Sequence, residues 1–206
     1  MYTAADNDDD TMPMPREEFR KKTGYNDYDA YEGHELIGRG GSGSVYSVIR
    51  DDTRYAMKIP NQFNPNDQKT IAVSEELNKE FLREADRLNN LSNKCSDSVV
   101  TMEDYGVVPF PWIVMEYASS DLRKAMDDGE VTVSDMIILL EKLHSIHVSG
   151  FTHLDIKPEN IMKVGVAWKF TDFGLSNPIN SVSVSISRKG FTGTVQYSAP
   201  EQFSPK

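Results

Sequence analysis

Between Ser74 and Leu91 the chain reads SEELNKEFLREADRLNNL, and one acid in this stretch restricts the fold more than any other feature. At about 100° per residue, Leu77, Phe81, Leu88 and Leu91 fall within a stripe ~80° wide, the mark of a helix with one face against a core. Glu84 lies inside that stripe, ~25° from its centre, whereas Glu80 is ~65° off and Glu75 and Asp86 point away. A carboxylate on a buried face needs a cation. The candidate is Lys58, in the apolar run YAMKI, where a lysine itself needs an anion. Read alone, Lys58 fits equally well as a residue snorkelling from an edge strand. Read with Glu84, it implies a helix packed on a sheet, acid facing lysine.

The sheet is visible around it. HELIGRG and SVYSVIR cluster apolar residues about glycines and read as two strands joined by a glycine turn. DDTRYAMKIP adds a turn and a third strand stopped at Pro60, and NQFNPNDQKT is loop by composition. Beyond the helix, strands are expected around SVVTMEDYGVV and PWIVMEY. SDLRKAMDDG reads as a short helix with an acidic N-terminal residue and a glycine past its end. A longer helix runs from about Val133 to Ser149, with Met136, Leu139, Leu140, Leu143 and Ile146 on one face and Gly150 just beyond. The order is strands with one helix, then mostly helix: an α+β chain in two parts.

At 206 residues the chain is long enough for one domain or a small two-lobed one. The longest apolar run, MIILL, is far short of a membrane span. The start, MYTAADNDDDTMPMP, carries no secretory pattern. Cys95 is the single cysteine, which fits a reducing compartment and an expected cytoplasmic location. The net charge of -10 argues against binding nucleic acid or anionic membranes through bulk charge. Residues 1–30 are polar, acidic and proline-dotted, and are expected to be largely a mobile tail.

Three further patches carry chemistry. IGRGGSGSV, Ile37 to Val45, has glycines that would let backbone amides approach phosphate oxygens. By itself such a string is more often an ordinary turn, and the strand-like SVYSVIR after it argues against the dinucleotide-binding version, which needs a helix there. FTHLDIKPENIM packs His153, Asp155, Lys157, Glu159 and Asn160 about one proline. TDFGL places Asp172 after the strand-like VAWKF. Asn160 and Asp172 can supply the one or two protein oxygens that magnesium takes beside phosphates and water. Asp155 is then left to orient a hydroxyl and accept its proton.

The ordered set GRGGSGSV, AMK, HLDIKPEN, DFG and APE resembles the eukaryotic-type protein kinase family over about residues 33–206. The resemblance implies a bilobal fold: a small lobe of antiparallel sheet plus one helix over about 31–116, a connector at about 116–120, and a mainly helical partial large lobe over about 121–206. It implies ATP with Mg2+, or Mn2+, as cofactors and Ser/Thr hydroxyls of proteins as acceptors. Gly38, Gly40 and Gly43 would cover the ATP phosphates, with Ile37, Arg39, Gly41, Ser42, Ser44 and Val45 around them. Lys58 would hold the α- and β-phosphates and pair with Glu84. Ala56, Met115, Glu116, Tyr117 and Met162 would complete the nucleotide site, Met115 at its back and MEY as the adenine-bonding connector. Asp155 would be the catalytic base, and Asn160 and Asp172 the metal ligands. Lys157 would neutralise the moving phosphoryl group, and GTVQYSAPE (Gly193 to Glu201) resembles a substrate-positioning segment of the Ser/Thr subgroup.

The pattern departs from the family at two places. Leu154 stands where most regulated members carry an arginine that pairs with a phosphorylated loop, so switching through that contact is not expected. Ser181, Ser183, Ser185, Ser187 and Thr192 lie in that loop, where SVSVSIS reads as an exposed strand before it reads as a phosphorylation cassette. The chain also ends shortly after APE. The expectation is therefore a fragment of a longer kinase, a chain completed by a partner, or an ATP-binding remnant with little transfer activity.

Overall fold

The computed structural model describes residues 28–41, 43–66, 74–178 and 194–203. The expected tail before residue 28, Ser42 and the serines of the 181–187 stretch with Thr192 lie outside the described residues. Strands β1 (Glu32–Gly40), β2 (Gly43–Arg50), β3 (Thr53–Ile59), β4 (Met102–Gly106) and β5 (Trp112–Glu116) make one antiparallel sheet in the order β1-β2-β3-β5-β4. These are the five strands the alternation announces.

Helix α1 (Glu75–Cys95) crosses one face of the sheet. Ser74 caps it by accepting from the Leu77 N–H, and Glu75 and Glu76 in the first turn suit the positive end of the helix dipole. It runs one turn past Leu91, the end of the apolar stripe. Ser92 and Cys95 continue the buried face there, Ser92 Oγ donating back to the Leu88 carbonyl at 2.8 Å. Small polar side chains do not mark an apolar stripe, so this turn does not show in the pattern. Phe81, Leu88 and Leu91 pack with Tyr105, Ile113 and Met115, and the same core continues into the second half through Leu139, Ile146, Trp168 and Phe170.

The opposite face of the sheet is covered by aromatics. Tyr46, Val48, Met57, Ile59, Trp112 and Val114 pack against Phe63, Phe110, Tyr28 and Tyr31. Residues 28–30 were expected in the tail; they form a 3-10 turn instead, with Tyr28 buried between the His34 and Phe110 rings, each 5.3 Å away. The acidic surroundings hid a tyrosine pair that packs as core. In the same cluster the indole of Trp112 lies on Gly106, where an added Cβ would meet ring atoms at 2.4 Å. Trp112 is fully buried and donates from Nε1 to the Val108 carbonyl. Gly106→Ala should therefore lower stability by about 1–3 kcal/mol through overpacking, read as a lower denaturant midpoint at unchanged slope.

The second half begins with β6 (Ser120–Asp121), whose Asp121 caps α2 (Leu122–Asp127) by accepting from the Lys124 N–H. Gly129, at φ +72°, ends that segment as expected. Helix α3 (Val133–Val148) opens on a reciprocal capping box between Thr132 and Asp135 and stops before Gly150, at φ +89°. β7 (Phe151–Thr152) leads to the HLDIKPEN loop, after which β8 (Ile161–Val164) and β9 (Ala167–Phe170) form a hairpin. β6 joins that hairpin, and β7 pairs with β10 (Asn177–Pro178). Of these short strands only VAWKF was expected, because two-residue pairings carry no periodicity. The face expected on α3 is split: Leu139 and Ile146 are buried and Leu143 partly so, whereas Met136 and Leu140 are exposed with Val133, Ile137 and Val148. Among the described residues, no helix is long and apolar enough to cross a membrane.

Candidate active site

The β1–β2 hairpin pairs Gly40 with Gly43, Arg39 with Ser44 and Gly38 with Val45, and Gly41 follows β1 as a turn residue. Gly43 is required by packing on the protein itself, since an added Cβ would lie 2.5 Å from the Ile59 carbonyl oxygen. At Gly38 and Gly40 the nearest atom would be 3.9 Å away, and at Gly41 none lies within 4 Å. The turn thus keeps open space where phosphate oxygens would need to approach backbone amides.

Lys58, on β3, is 5% exposed, and its Nζ donates to Glu84 Oε1 at 2.5 Å and to Asp172 Oδ1 at 3.2 Å. The pairing expected from the helix stripe is present, and Asp172 joins it. Burial works against the charge on Lys58, but the Glu84 and Asp172 carboxylates outweigh it and hold its pKa above the ordinary lysine value. Burial would likewise raise Asp172, yet Lys58 holds it below the usual carboxylate range. Asp172 sits at φ 62°, ψ 67°, left-handed for a non-glycine residue. The next two residues are anchored on both sides. Phe173 is buried with its ring 4.7 Å from that of His153, and Arg87 of α1 donates to the Gly174 carbonyl at 2.9 Å.

His153 links the two acid-bearing loops. Nε2–H donates to the Thr171 carbonyl at 2.9 Å, and Nδ1 accepts from the Asp155 N–H at 3.3 Å, a pattern that assigns the neutral Nε2–H tautomer. The Thr171 N–H donates to the Asn160 carbonyl at 3.0 Å. Backbone bonds at Thr171 therefore tie the Asp155–Asn160 loop to the residue just before Asp172. Burial lowers the His153 pKa. The unfolded chain takes up a proton below ~6.5 that the folded chain resists, so stability should fall as pH drops through that value. Thermal midpoints measured from pH 7.5 to 5.5 should decline, and His153→Gln should flatten that decline.

Asp155 is held from three directions. Lys157 Nζ donates to Oδ2 at 2.8 Å, Thr194 Oγ1 donates to Oδ1 at 2.7 Å, and Asn160 Nδ2 donates to its backbone carbonyl at 2.8 Å and to Oδ2 at 3.1 Å. Lys157 also reaches Thr194 Oγ1 at 3.1 Å. Burial alone would raise the Asp155 pKa, but the Lys157 and Thr194 hydrogen bonds pull it below the usual value, so it stays ionised. The 3-10 turn Pro158–Asn160 sets Asn160 with both amide protons on Asp155, which turns its amide oxygen away from that residue. Thr194 was not singled out by the sequence reading. Its signal is only a hydroxyl in the GTVQYSAPE segment.

The remaining expected nucleotide residues surround this cluster unevenly. Ala56 and Met115 are buried partners across β3 and β5, and Thr171 Oγ1 lies 3.9 Å from Met115 Sδ. Ile37 is exposed, and Val45 is half-buried opposite Gly38. Met162, half-buried on β8, packs against the main core. Glu116 turns its carboxylate to the Thr101 N–H at 2.7 Å and Lys169 Nζ at 2.6 Å, and the Tyr117 ring lies under the Arg54 guanidinium. Both use their side chains elsewhere. Leu154 adopts φ 65°, and its carbonyl accepts from Gln202 Nε2 at 3.1 Å. Beside Asp155 a cleft of about 240 Å³ is lined by Ile156, Thr194, Tyr197 and Gln202 among others. Among the described residues no three His, Cys, Asp or Glu side chains gather as a metal cage. Magnesium beside a phosphate needs fewer protein ligands than that, and the oxygens of Asn160 and Asp172 suit it.

The chain is similar to several curated kinases. It is 30% identical to the dual specificity protein kinase Ttk of Danio rerio, over 81% of this chain and 17% of that protein. It is 32% identical to the dual specificity protein kinase TTK of Mus musculus, over 80% of this chain and 19% of that protein. It is also 32% identical to the probable serine/threonine-protein kinase PknB of Corynebacterium glutamicum, over 84% of this chain and 28% of that protein. The chain thus spans between about a sixth and just over a quarter of the length of these relatives. The family model described as the protein kinase domain matches residues 31–206. Because that match takes in the five-stranded sheet, α1 and both acid-bearing loops, the chain belongs to the eukaryotic-type protein kinase family.

Proposed function

We propose that the protein transfers the terminal phosphoryl group of ATP to serine or threonine hydroxyls of protein substrates. The observation that carries this reading is the joining of two charge clusters, Lys58–Glu84–Asp172 and Asp155–Lys157–Asn160, through the backbone of Thr171. In this reading the open turn at Gly38, Gly40 and Gly41 holds the phosphates by backbone amides, and Lys58 orients them. Ala56, Met115 and Met162 line the base, and the backbone at Glu116 and Tyr117 supplies its hydrogen bonds. Asn160 and Asp172 would hold Mg2+, which when bound supplies neutralisation of phosphate charge. Asp155 orients the acceptor hydroxyl. Its lowered pKa means it takes the proton late, as the oxygen–phosphorus bond forms, rather than generating a free alkoxide. Lys157, within reach of the same oxygens, offsets charge on the group in transit.

A second reading is favoured by the exposed apolar residues of α3, which fit a surface covered by further polypeptide. There the chain binds ATP as an interaction module with little turnover. Incubation with ATP, Mg2+ and a protein mixture, followed by mass-spectrometric mapping, separates the two. Phosphoserine and phosphothreonine that require the metal support transfer. Thermal stabilisation by ATP with no phosphopeptides supports the module.

A further inference from the structure

Asn61, two residues past the end of β3, reaches back to the glycine turn. Its Nδ2 donates to the Gly40 carbonyl at 2.7 Å, and its Oδ1 accepts from Ser44 Oγ at 2.7 Å. Ser44 is fully buried, and its Oγ accepts in turn from Arg39 Nε at 3.2 Å. One amide therefore grips both strands of the hairpin, on either side of its turn. Beneath it the hairpin end rests on β3: the Cβ position of Gly43 is 2.5 Å from the Ile59 carbonyl oxygen and 3.5 Å from Lys58 Cε. The same contacts that fix the turn also fix its height over the lysine.

We propose that Asn61 is a positioning residue, a latch that holds the glycine turn over Lys58 in the conformation that receives nucleotide phosphates. This rests on the ATP reading above. A turn rich in glycine has many accessible conformations, and holding it in one removes an ordering cost from binding. The task needs asparagine: its side chain gives a donor to the Gly40 carbonyl and an acceptor to the Ser44 hydroxyl at once. Aspartate offers only acceptors, and alanine offers neither.

The test compares the wild-type protein with Asn61→Ala, Asn61→Asp and Asn61→Ala/Ser44→Ala. Titration with Mg2+ and ATP should show affinity about 3- to 10-fold weaker in each single variant, the size of one net hydrogen bond. The double variant should lose no more than Asn61→Ala, because both side chains act through one latch. Without nucleotide, tryptic cleavage between Arg39 and Gly40 should speed up by a similar factor while cleavage at sites outside the hairpin keeps the wild-type rate, a selectivity that the fall of a few degrees in thermal midpoint expected for one hydrogen bond would not produce. Wild-type protein that does not bind ATP removes the ATP reading and this inference with it. Wild-type protein that binds, with single variants binding equally well or more tightly, or cleaved at the wild-type rate, overturns the latch alone.

Discussion

Asp155→Ala should reduce the rate of phosphoryl transfer by about 10²- to 10⁴-fold, the contribution expected of a positioned acid–base group. ATP affinity should stay near the wild-type value, because Asp155 bonds to Lys157, Asn160 and Thr194 and, among the described residues, not to Lys58 or the glycine turn. The side chain is nearly buried and hydrogen-bonded on both oxygens, so a folding loss has to be separated from a chemical one. Asp155→Asn does this. It keeps the shape and one acceptor oxygen, yet cannot take the proton, so it should be as inactive as alanine while melting closer to wild type. Equal phosphate incorporation by wild type and either variant would remove Asp155 from the chemistry.

The second large effect is expected at Lys58. Lys58→Met keeps most of the stem but leaves the Glu84 carboxylate buried without its cation, a change that costs about 3–5 kcal/mol for a buried pair. At roughly 2–4 °C per kcal/mol for a chain of this size, the thermal midpoint should fall by about 6–20 °C. Transfer activity should also be lost. The two losses have different causes, and Lys58→Met/Glu84→Leu separates them. An apolar pair of similar volume should recover much of the stability, while ATP-dependent transfer stays absent because no cation orients the phosphates. Recovery of activity in the double variant would show that Lys58 only stabilises the fold.

Much of this geometry was legible in the sequence where a residue broke the rule of its own element. Glu84 on an apolar stripe and Lys58 in an apolar strand each needed a partner, and they found one another at 2.5 Å. Asp172 also reaches Lys58, from a left-handed backbone 114 positions away, a separation over which no local pattern operates. The five-stranded sheet and three helices followed from periodicity and caps, because each is a local property. The short strands β6, β7, β8 and β10 did not, since their pairing is set by where the HLDIKPEN and DFG loops come together. Tyr28 was misread for a related reason: composition averages over a segment, and burial of one aromatic depends on what lies across from it. On α3, Met136 and Leu140 share a helical face with Leu139 and Ile146, yet only the latter two meet the core.

The amino-acid order alone determined which residue types had to be neutralised and in which elements they lay, because helix and strand periodicity act over a few residues and a buried charge tolerates no vacancy opposite it. Tertiary structure decided the rest. Thr194 bridging Asp155 and Lys157, and Asn61 closing the glycine turn, join residues 39 and 37, and 21 and 17, positions apart. Such hydrogen bonds have no periodicity to betray them, since the distance between their backbones is set by the packing of the hydrophobic core and not by spacing along the chain.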